Sequence, residues 1–316
     1  MKKILSILVL LALIAAMGAP VMAAAQDNAV MSMEGLTLEL KPMSSDLAGK
    51  VAGVGNIQAA TSRNKYGVKH NKYAVVIGIS DYAPVSGEEG GPEDLWNPDK
   101  NAIEMKQALM EEYGYAEQNI YMLLNEQAKF EAIYQSIMWL ASTTNEHSSV
   151  TFFYSGHGGS APDLWGLDAD VEDDGYDEGI ISHDWVPISD GVLKEWFSYV
   201  QARKFSMIYD CCYSGGMFDD DDDLQAEGRV IVSACKADQL TYDVLEWNNT
   251  LFGYILIDLG ILNGLAEVRR PGVSMEEAWA YAGPIVTEFT LPYGGIPGLT
   301  ITEPQIYDGY SGQLIP

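Results

Sequence analysis

The sequence predicts an α/β fold in which a mostly parallel β-sheet is flanked by helices on both faces, as a three-layer sandwich. Near-continuous apolar runs at 73–79, 150–153 and 205–208 have the length and composition of buried strands. Segments with a helical spacing of apolar residues lie between these runs. Because strands alternate with helices, the pattern favours parallel strands covered on both sides.

The elements follow one another without an internal repeat. Asp99 is expected to cap the first helix, since its carboxylate can accept a hydrogen bond from a backbone N–H there. An acidic loop is expected after the strand at 150–153. In chain order, the predicted elements are a strand at 73–79, a helix from 99 to 109, a strand at 120–124, a helix at 126–141, strands at 150–153 and 205–208 with a helix at 192–200 between them, a strand at 229–234, helices at 251–262 and 275–286, and a strand at 305–307.

The amino-terminal region predicts export. Residues 1–25 have a short basic start, an apolar stretch and a small-residue cleavage site, which is the layout of a secretory signal peptide. An uncleaved membrane anchor is the alternative. Residues 26–71 are interpreted as a linker or pro-segment, with an ordinary extension packed on the domain as the alternative. We expect a secreted or extracytoplasmic protein with no stable membrane insertion after signal removal, and one folded domain over 72–316.

Charge and cysteine content exclude several classes of protein. The net charge of −27, from 45 acidic and 18 basic residues, argues against binding to nucleic acid or to an anionic membrane surface. The three cysteines, Cys211, Cys212 and Cys235, do not have the spacing of a disulfide framework. No pair of cysteines has the spacing of a zinc site. A chemical role for at least one thiol is therefore expected.

Two motifs follow predicted strands and carry the chemistry. Residues 154–159 place His157 among glycines, and residues 209–216 place Cys212 between an acid and glycines. The ends of neighbouring parallel strands converge on one crevice, where a neutral imidazole and a thiol provide the groups for nucleophilic acyl transfer. A buried inert thiol and a structural histidine are the alternatives. Since strand side chains alternate, only one of Cys211 and Cys212 can point towards His157.

These motifs resemble those of the caspase-like cysteine peptidases, the clan of caspases and metacaspases, and most closely the metacaspase branch. The similarity covers roughly residues 72–312, and several motifs in the same order make it specific. It implies a caspase-like fold with a large portion over 72–218, an acidic linker over 218–228 and a small portion over 229–316. The stretches that carry it are 72–80, 152–159, 205–216 and 233–239, with 173–178 and 303–309 in support.

The resemblance implies a role for each residue of the two motifs. Cys212 corresponds to the nucleophile and His157 to the residue that accepts its proton. The backbone N–H groups of Gly158 and Cys212 correspond to the oxyanion hole. No cofactor is required for this chemistry.

The resemblance also implies the substrate. Asp210 and Ser155 match positions of the pocket for the residue before the scissile bond, and a buried carboxylate there favours Arg or Lys. The family usually adds an Asp from the first long helix, whereas Asn101 occupies that position here. The expected partners are therefore peptides or proteins with Arg or Lys before the cleaved bond.

Calcium is left open by the sequence. The acidic stretch after His157 fails as an EF-hand, because Ile181 stands at position 12, where a bidentate Glu is needed. Calcium-dependent metacaspases use another cluster, whose positions correspond here to Asp177, Asp190 and Asp219. A solvated acidic loop is the alternative.

Autoprocessing of a zymogen is expected to be easiest in the basic segment 63–72.

Together these inferences predict an exported cysteine-type endopeptidase that acts through a Cys212–His157 dyad and a thioester. The alternatives are a related peptidase that prefers Asn or Asp, and a catalytically silent caspase-like domain that binds a partner or calcium. Monomer and dimer both remain open.

Overall fold

The computed structural model describes residues 71–84, 94–162, 175–219, 223–267 and 272–316. The predicted signal peptide, nearly all of the predicted pro-segment and much of the acidic stretch lie outside these residues. Within the described part of the chain, no helix is long and apolar enough to cross a membrane.

A six-stranded sheet forms the centre of the described structure, in the order β11-β8-β7-β3-β1-β2. Pairing is parallel except at the edge, where β11 runs antiparallel to β8. Because β2 and β3 lie on opposite sides of β1, the chain reverses direction across the sheet there, which is where open α/β sheets form a crevice. These strands are β1 (Lys72–Gly78), β2 (Ile120–Leu124), β3 (Ser149–Ser155), β7 (Lys204–Asp210), β8 (Arg229–Ser233) and β11 (Gln305–Asp308).

Helices cover both faces of this sheet and enclose two hydrophobic cores. One core lies under α1, α4 and α5, and the other lies under α2 and α3. The predicted fold class, a mostly parallel β-sheet with helices on both faces, is confirmed. The helices are α1 (Pro98–Glu111), α2 (Phe130–Thr143), α3 (Asp190–Phe197), α4 (Leu251–Gly253, continued as a π-helix over Tyr254–Leu262) and α5 (Met275–Thr290).

Apolar strand sequences account for this arrangement. Ala74 to Ile77 of β1 have no exposed surface, and their side chains alternate between the two cores. A strand that is apolar on both faces is stable only when both faces are covered. The central strands therefore require helices on each side.

The stretch predicted as an acidic loop contains a second sheet, of three antiparallel strands. Its strands are β4 (Gly158–Pro162), β5 (Tyr176–Ile181) and β6 (Pro187–Ser189). Their short Gly-, Pro- and acid-containing sequences lack the alternation that marks a strand, which is why the pattern missed them. A small hairpin was missed for the same reason: β9 (Asp243–Val244) pairs with β10 (Asn249–Thr250).

Two local predictions about helices were wrong. Asn97 precedes α1, and Asp99 lies inside it, where its Oδ1 accepts a hydrogen bond from Ser80 Oγ at 2.7 Å. Asp99 therefore ties α1 to the end of β1 instead of capping the helix. The second helix begins at Phe130, because 125–127 form a separate 3-10 turn in which Asn125 has a positive φ of 48°.

Candidate active site

The two motif-bearing strands end side by side in matching register. Ser155 of β3 lies opposite Asp210 of β7, and Gly156 N donates to Asp210 O at 3.3 Å. His157 and Cys212 each follow their strand end by two residues, so they occupy corresponding positions beyond the sheet. The parallel pairing thus brings together the ends of the two strands that precede the predicted dyad residues.

Gly158 is in backbone contact with the nucleophile segment. A Cβ atom placed on Gly158 would lie 2.0 Å from the carbonyl oxygen of Cys212. Real Cβ atoms do not approach so closely, so only glycine fits at this position. The two segments predicted to supply the oxyanion hole therefore touch, while the role of their N–H groups stays a prediction.

The adjacent cysteines face opposite sides of the sheet. Cys211 is fully buried in the core under α2 and α3, whereas Cys212 is half-buried at the border of the other core. Thr241 N donates to Cys212 Sγ at 3.4 Å. Burial, and after it the neighbouring Cys235, raise the pKa of Cys212 above its usual value. The thiol is therefore neutral at neutral pH and needs a base before it can act as a nucleophile.

Asp210 is the centre of a buried polar cluster. Its Oδ2 atom accepts hydrogen bonds from Thr250 Oγ1 at 2.6 Å, Asn101 Nδ2 at 2.9 Å and Ser155 Oγ at 3.1 Å. Its Oδ1 atom is buried and has no hydrogen-bond partner among the described residues. Burial raises the pKa of Asp210 to about 6, although the three hydrogen bonds act in the opposite direction. The three residues predicted to line the specificity pocket thus lie together.

Thr250 and Asp243 belong to this cluster and were not found from the sequence. They face each other across the β9–β10 hairpin. Asp243 accepts hydrogen bonds from the backbone N–H groups of Trp96 at 2.6 Å and Asn97 at 3.1 Å, which attaches the hairpin to the start of α1. Thr250 precedes an apolar helix, so its position as an N-cap could have been predicted. The contact of Thr250 with Asp210 could not have been predicted, because about 40 residues separate the two.

The predicted calcium ligands do not form a metal centre in the described structure. Asp177 is buried on β5 and Asp190 is buried at the start of α3, whereas Asp219 follows a 3-10 turn beyond Cys212. Within the described ranges, no group of three or more His, Cys, Asp or Glu residues could hold a metal ion. The acids at 163–174 and 220–222 lie outside the described residues. No chemical step is derived through a metal.

Comparison with known proteins finds a family match for one segment of the chain. Residues 72–221 match the family model described as metacaspase, peptidase C14 domain. This segment is therefore similar to the metacaspase family. All of the site residues predicted from the sequence lie within the metacaspase segment, whereas Asp243 and Thr250 lie beyond it.

Two curated metacaspases illustrate how far the sequence similarity extends. Metacaspase-1 of Cryptococcus neoformans is 33% identical over 160 residues, which cover 47% of this chain and 32% of that protein. Metacaspase-1 of Emericella nidulans is 30% identical over 158 residues, covering 46% of this chain and 36% of that protein. The chain thus matches about a third of the length of these relatives.

A solved structure supports the fold beyond the segment that matches in sequence. The crystal structure of protein GSU0716 from Geobacter sulfurreducens superposes with a TM-score of 0.53 and 18% identity. The superposition covers 77% of this chain and 94% of that one. At this level of identity, the similarity concerns the fold alone.

Proposed function

We propose that the protein is an exported metacaspase-type cysteine endopeptidase that cleaves peptide bonds after Arg or Lys. Similarity to the metacaspase family and the matching positions of His157 and Cys212 support a peptidase. The basic preference depends chiefly on one observation, the buried carboxylate of Asp210. Export is inferred from the sequence of residues 1–25 alone.

Asp210 has the properties expected of a site for a positively charged side chain. Burial of a carboxylate is costly unless a cation or hydrogen bonds compensate for the lost water. All three protein donors bind Oδ2, and Oδ1 has no hydrogen-bond partner within the described residues. A guanidinium or ammonium group in the pocket would supply both the missing donors and the charge. An acidic substrate side chain is disfavoured, because two buried carboxylates repel each other.

The proposed reaction is a two-step acyl transfer. His157 takes the proton from Cys212 Sγ, and the thiolate attacks the carbonyl carbon of the scissile bond. The tetrahedral intermediate, with its oxyanion held by backbone N–H groups, collapses to a thioester as the amine leaves with the proton from His157. Water then attacks the thioester, its proton passes to His157, and the acid product and the free thiol are released.

Substitution of Asp210 by Asn tests the substrate preference directly. The change keeps the shape of the side chain and removes its charge. We expect kcat/KM for a peptide ending in Arg to fall by about a hundredfold or more, the usual effect of removing one partner of a buried charge pair. The rate at which iodoacetamide alkylates Cys212 in this variant, monitored by mass spectrometry, should differ from the wild-type rate by less than twofold.

The exposed acid Asp238 provides a matched control, since Asp238→Asn removes the same charge at the protein surface. Normal cleavage of Arg and Lys peptides by Asp210→Asn would refute the pocket assignment. Preferential cleavage after Asn or Asp by the wild-type protein would favour the alternative specificity. If the wild-type protein cleaves no peptide, a silent binding domain becomes the better proposal.

A further inference from the structure

Two aromatic side chains pack against the imidazole of His157. Tyr82, in the loop after β1, has its ring centroid 4.7 Å from that of His157. Trp185, in the turn between β5 and β6, lies 5.6 Å from His157 and 4.8 Å from Tyr82. Tyr82 is 2% exposed and His157 is 5% exposed, whereas Trp185 is partly exposed, so Trp185 lies at the outer side of a compact group of three rings.

Two tyrosine hydroxyls hold the backbone on either side of the His157 side chain. His157 N donates to Tyr82 Oη at 2.7 Å, and Tyr154 Oη donates to His157 O at 2.7 Å. A Cβ atom on Gly156 would lie 2.7 Å from each of these hydroxyls, so a larger residue there would displace them. Both the N–H and the C=O of His157 are therefore fixed by buried side chains.

The turn that carries Trp185 is attached to the loop that carries Tyr82. Trp185 Nε1 donates to Ala83 O at 2.7 Å, and Ala83 N donates to His183 O at 3.0 Å. His183 Nδ1 lies 2.8 Å from Asp81 O. These hydrogen bonds connect the two loops directly, and both loops place an aromatic ring beside His157.

Trp185 also has an unusual backbone conformation. Its φ angle is 60°, in the left-handed region that bulky residues rarely adopt. Such a conformation persists only where its surroundings enforce it, and it is found most often near functional sites. The hydrogen bond from its indole and its contacts with the two other rings are the local interactions that enforce it.

We propose that Tyr82 and Trp185 are positioning residues that orient the imidazole of His157 and stabilise its protonated form. The proposal rests on the proposed function, in which His157 becomes positively charged when it takes the thiol proton. The π face of an aromatic ring attracts a nearby cation, most strongly where water is excluded. A fixed imidazole also removes the need to reorient before each proton transfer.

Peptide hydrolysis by ring and hydroxyl variants tests this proposal. Trp185→Leu should lower kcat about tenfold while KM changes less than twofold, because in this proposal the ring acts on His157 and not on the bound peptide. Trp185→Phe, which keeps an aromatic ring, should restore most of the loss. Tyr82→Phe keeps the ring but removes the acceptor for His157 N–H, and it should lower kcat by a similar factor.

Trp139→Leu is the matched control. Trp139 lies on α2 and packs between Tyr73 and Tyr121, away from His157. It should leave kcat unchanged, and thermal unfolding should show that all variants are folded. Unchanged kcat in both Trp185→Leu and Tyr82→Phe would overturn the proposal, as would a loss confined to KM.

Alkylation of Cys212 separates this proposal from the proposed function, because it needs no peptide turnover. We expect His157→Ala, Trp185→Leu and Tyr82→Phe all to slow the reaction with iodoacetamide about tenfold. If His157→Ala reacts as fast as wild type, the dyad fails and the positioning proposal fails with it. If only His157→Ala is slow, the dyad stands and the positioning proposal alone is overturned.

Discussion

Ser155 and Asp210 lie opposite each other at the ends of two adjacent parallel strands, and Ser155 Oγ donates to Asp210 Oδ2 at 3.1 Å. Two residues after each of these strand ends, the chain reaches His157 and Cys212 respectively. The two strands whose register places Ser155 beside Asp210 are therefore also the strands that precede the residues of the proposed dyad.

The pH dependence of substrate choice should report the ionisation of Asp210. Its pKa is raised to about 6, so the carboxylate that attracts a cation forms only as pH rises through this value. Citrulline has the shape of Arg without the charge. We expect the ratio of kcat/KM for an Arg peptide over a citrulline peptide to increase with pH around 6 and then to level off. Ionisation of His157 and Cys212 affects both peptides equally and cancels in the ratio.

The Asp210→Asn variant is the control for this measurement, and its ratio should stay low and independent of pH. A wild-type ratio that does not vary between pH 5 and 8 would contradict the assignment of Asp210 to the pocket.

Gly158→Ala should impair both stability and chemistry. The added methyl group would lie 2.0 Å from Cys212 O, a backbone atom that cannot rotate away. We expect a loss of about 1–3 kcal/mol in the free energy of unfolding, measured with denaturant, and at least tenfold slower peptide hydrolysis. Gly159→Ala is the neighbouring control, since its methyl group would meet only the movable Cδ1 of Ile181 at 3.2 Å. Equal behaviour of the two variants would argue against a tight contact at Gly158.

Two neighbouring acids away from the proposed dyad, Glu104 and Asp258, should make the stability of the fold depend on pH. Asn249 Nδ2 donates to both Glu104 and Asp258, at 2.8 Å each. Burial, followed by the nearby Glu104, raises the pKa of Asp258 to about 7. The native state therefore binds more protons than the unfolded state between about pH 4 and 7, and stability falls as pH rises through this range.

Asp258→Asn mimics the protonated acid and should remove the loss of folding stability that accompanies the rise in pH. We expect the variant to be more stable than wild type at pH 8, on the order of 2 kcal/mol, and similar to wild type at pH 4. Chemical denaturation at both values measures the difference. Glu131→Gln, which neutralises an exposed acid on α2, should show no such gain. An Asp258→Asn variant that is less stable at pH 8 would mean that the charged form is favoured in the fold.

Sequence motifs identified the residues that lie on or next to long buried strands. Asp210 and Ser155 end β7 and β3, and Asn101 lies on the helix that follows β1, so the resemblance of these segments to metacaspase motifs located them. Thr250 and Asp243 escaped notice because β9 and β10 are two residues each and carry no periodic signal. Their positions depend on contacts between distant parts of the chain.

The aromatic residues around His157 were missed for a related reason. Tyr82 and Trp185 lie in loops, where no period links sequence to contact, and about a hundred residues separate them. The unusual φ of Trp185 has no sequence signal at all, since conformations of this kind are usually taken by Gly or Asn. Tertiary packing alone brings these rings together.

The most direct test of the account is hydrolysis of fluorogenic peptides by purified wild-type protein, Cys212→Ala and Cys211→Ala under reducing conditions. Peptides ending in Arg, Lys, Asn or Asp are compared, each with added calcium and with a chelator. The account predicts cleavage after Arg and Lys that disappears in Cys212→Ala and persists in Cys211→Ala. Cleavage that survives in Cys212→Ala, or an absence of turnover for every peptide under both conditions, would contradict it.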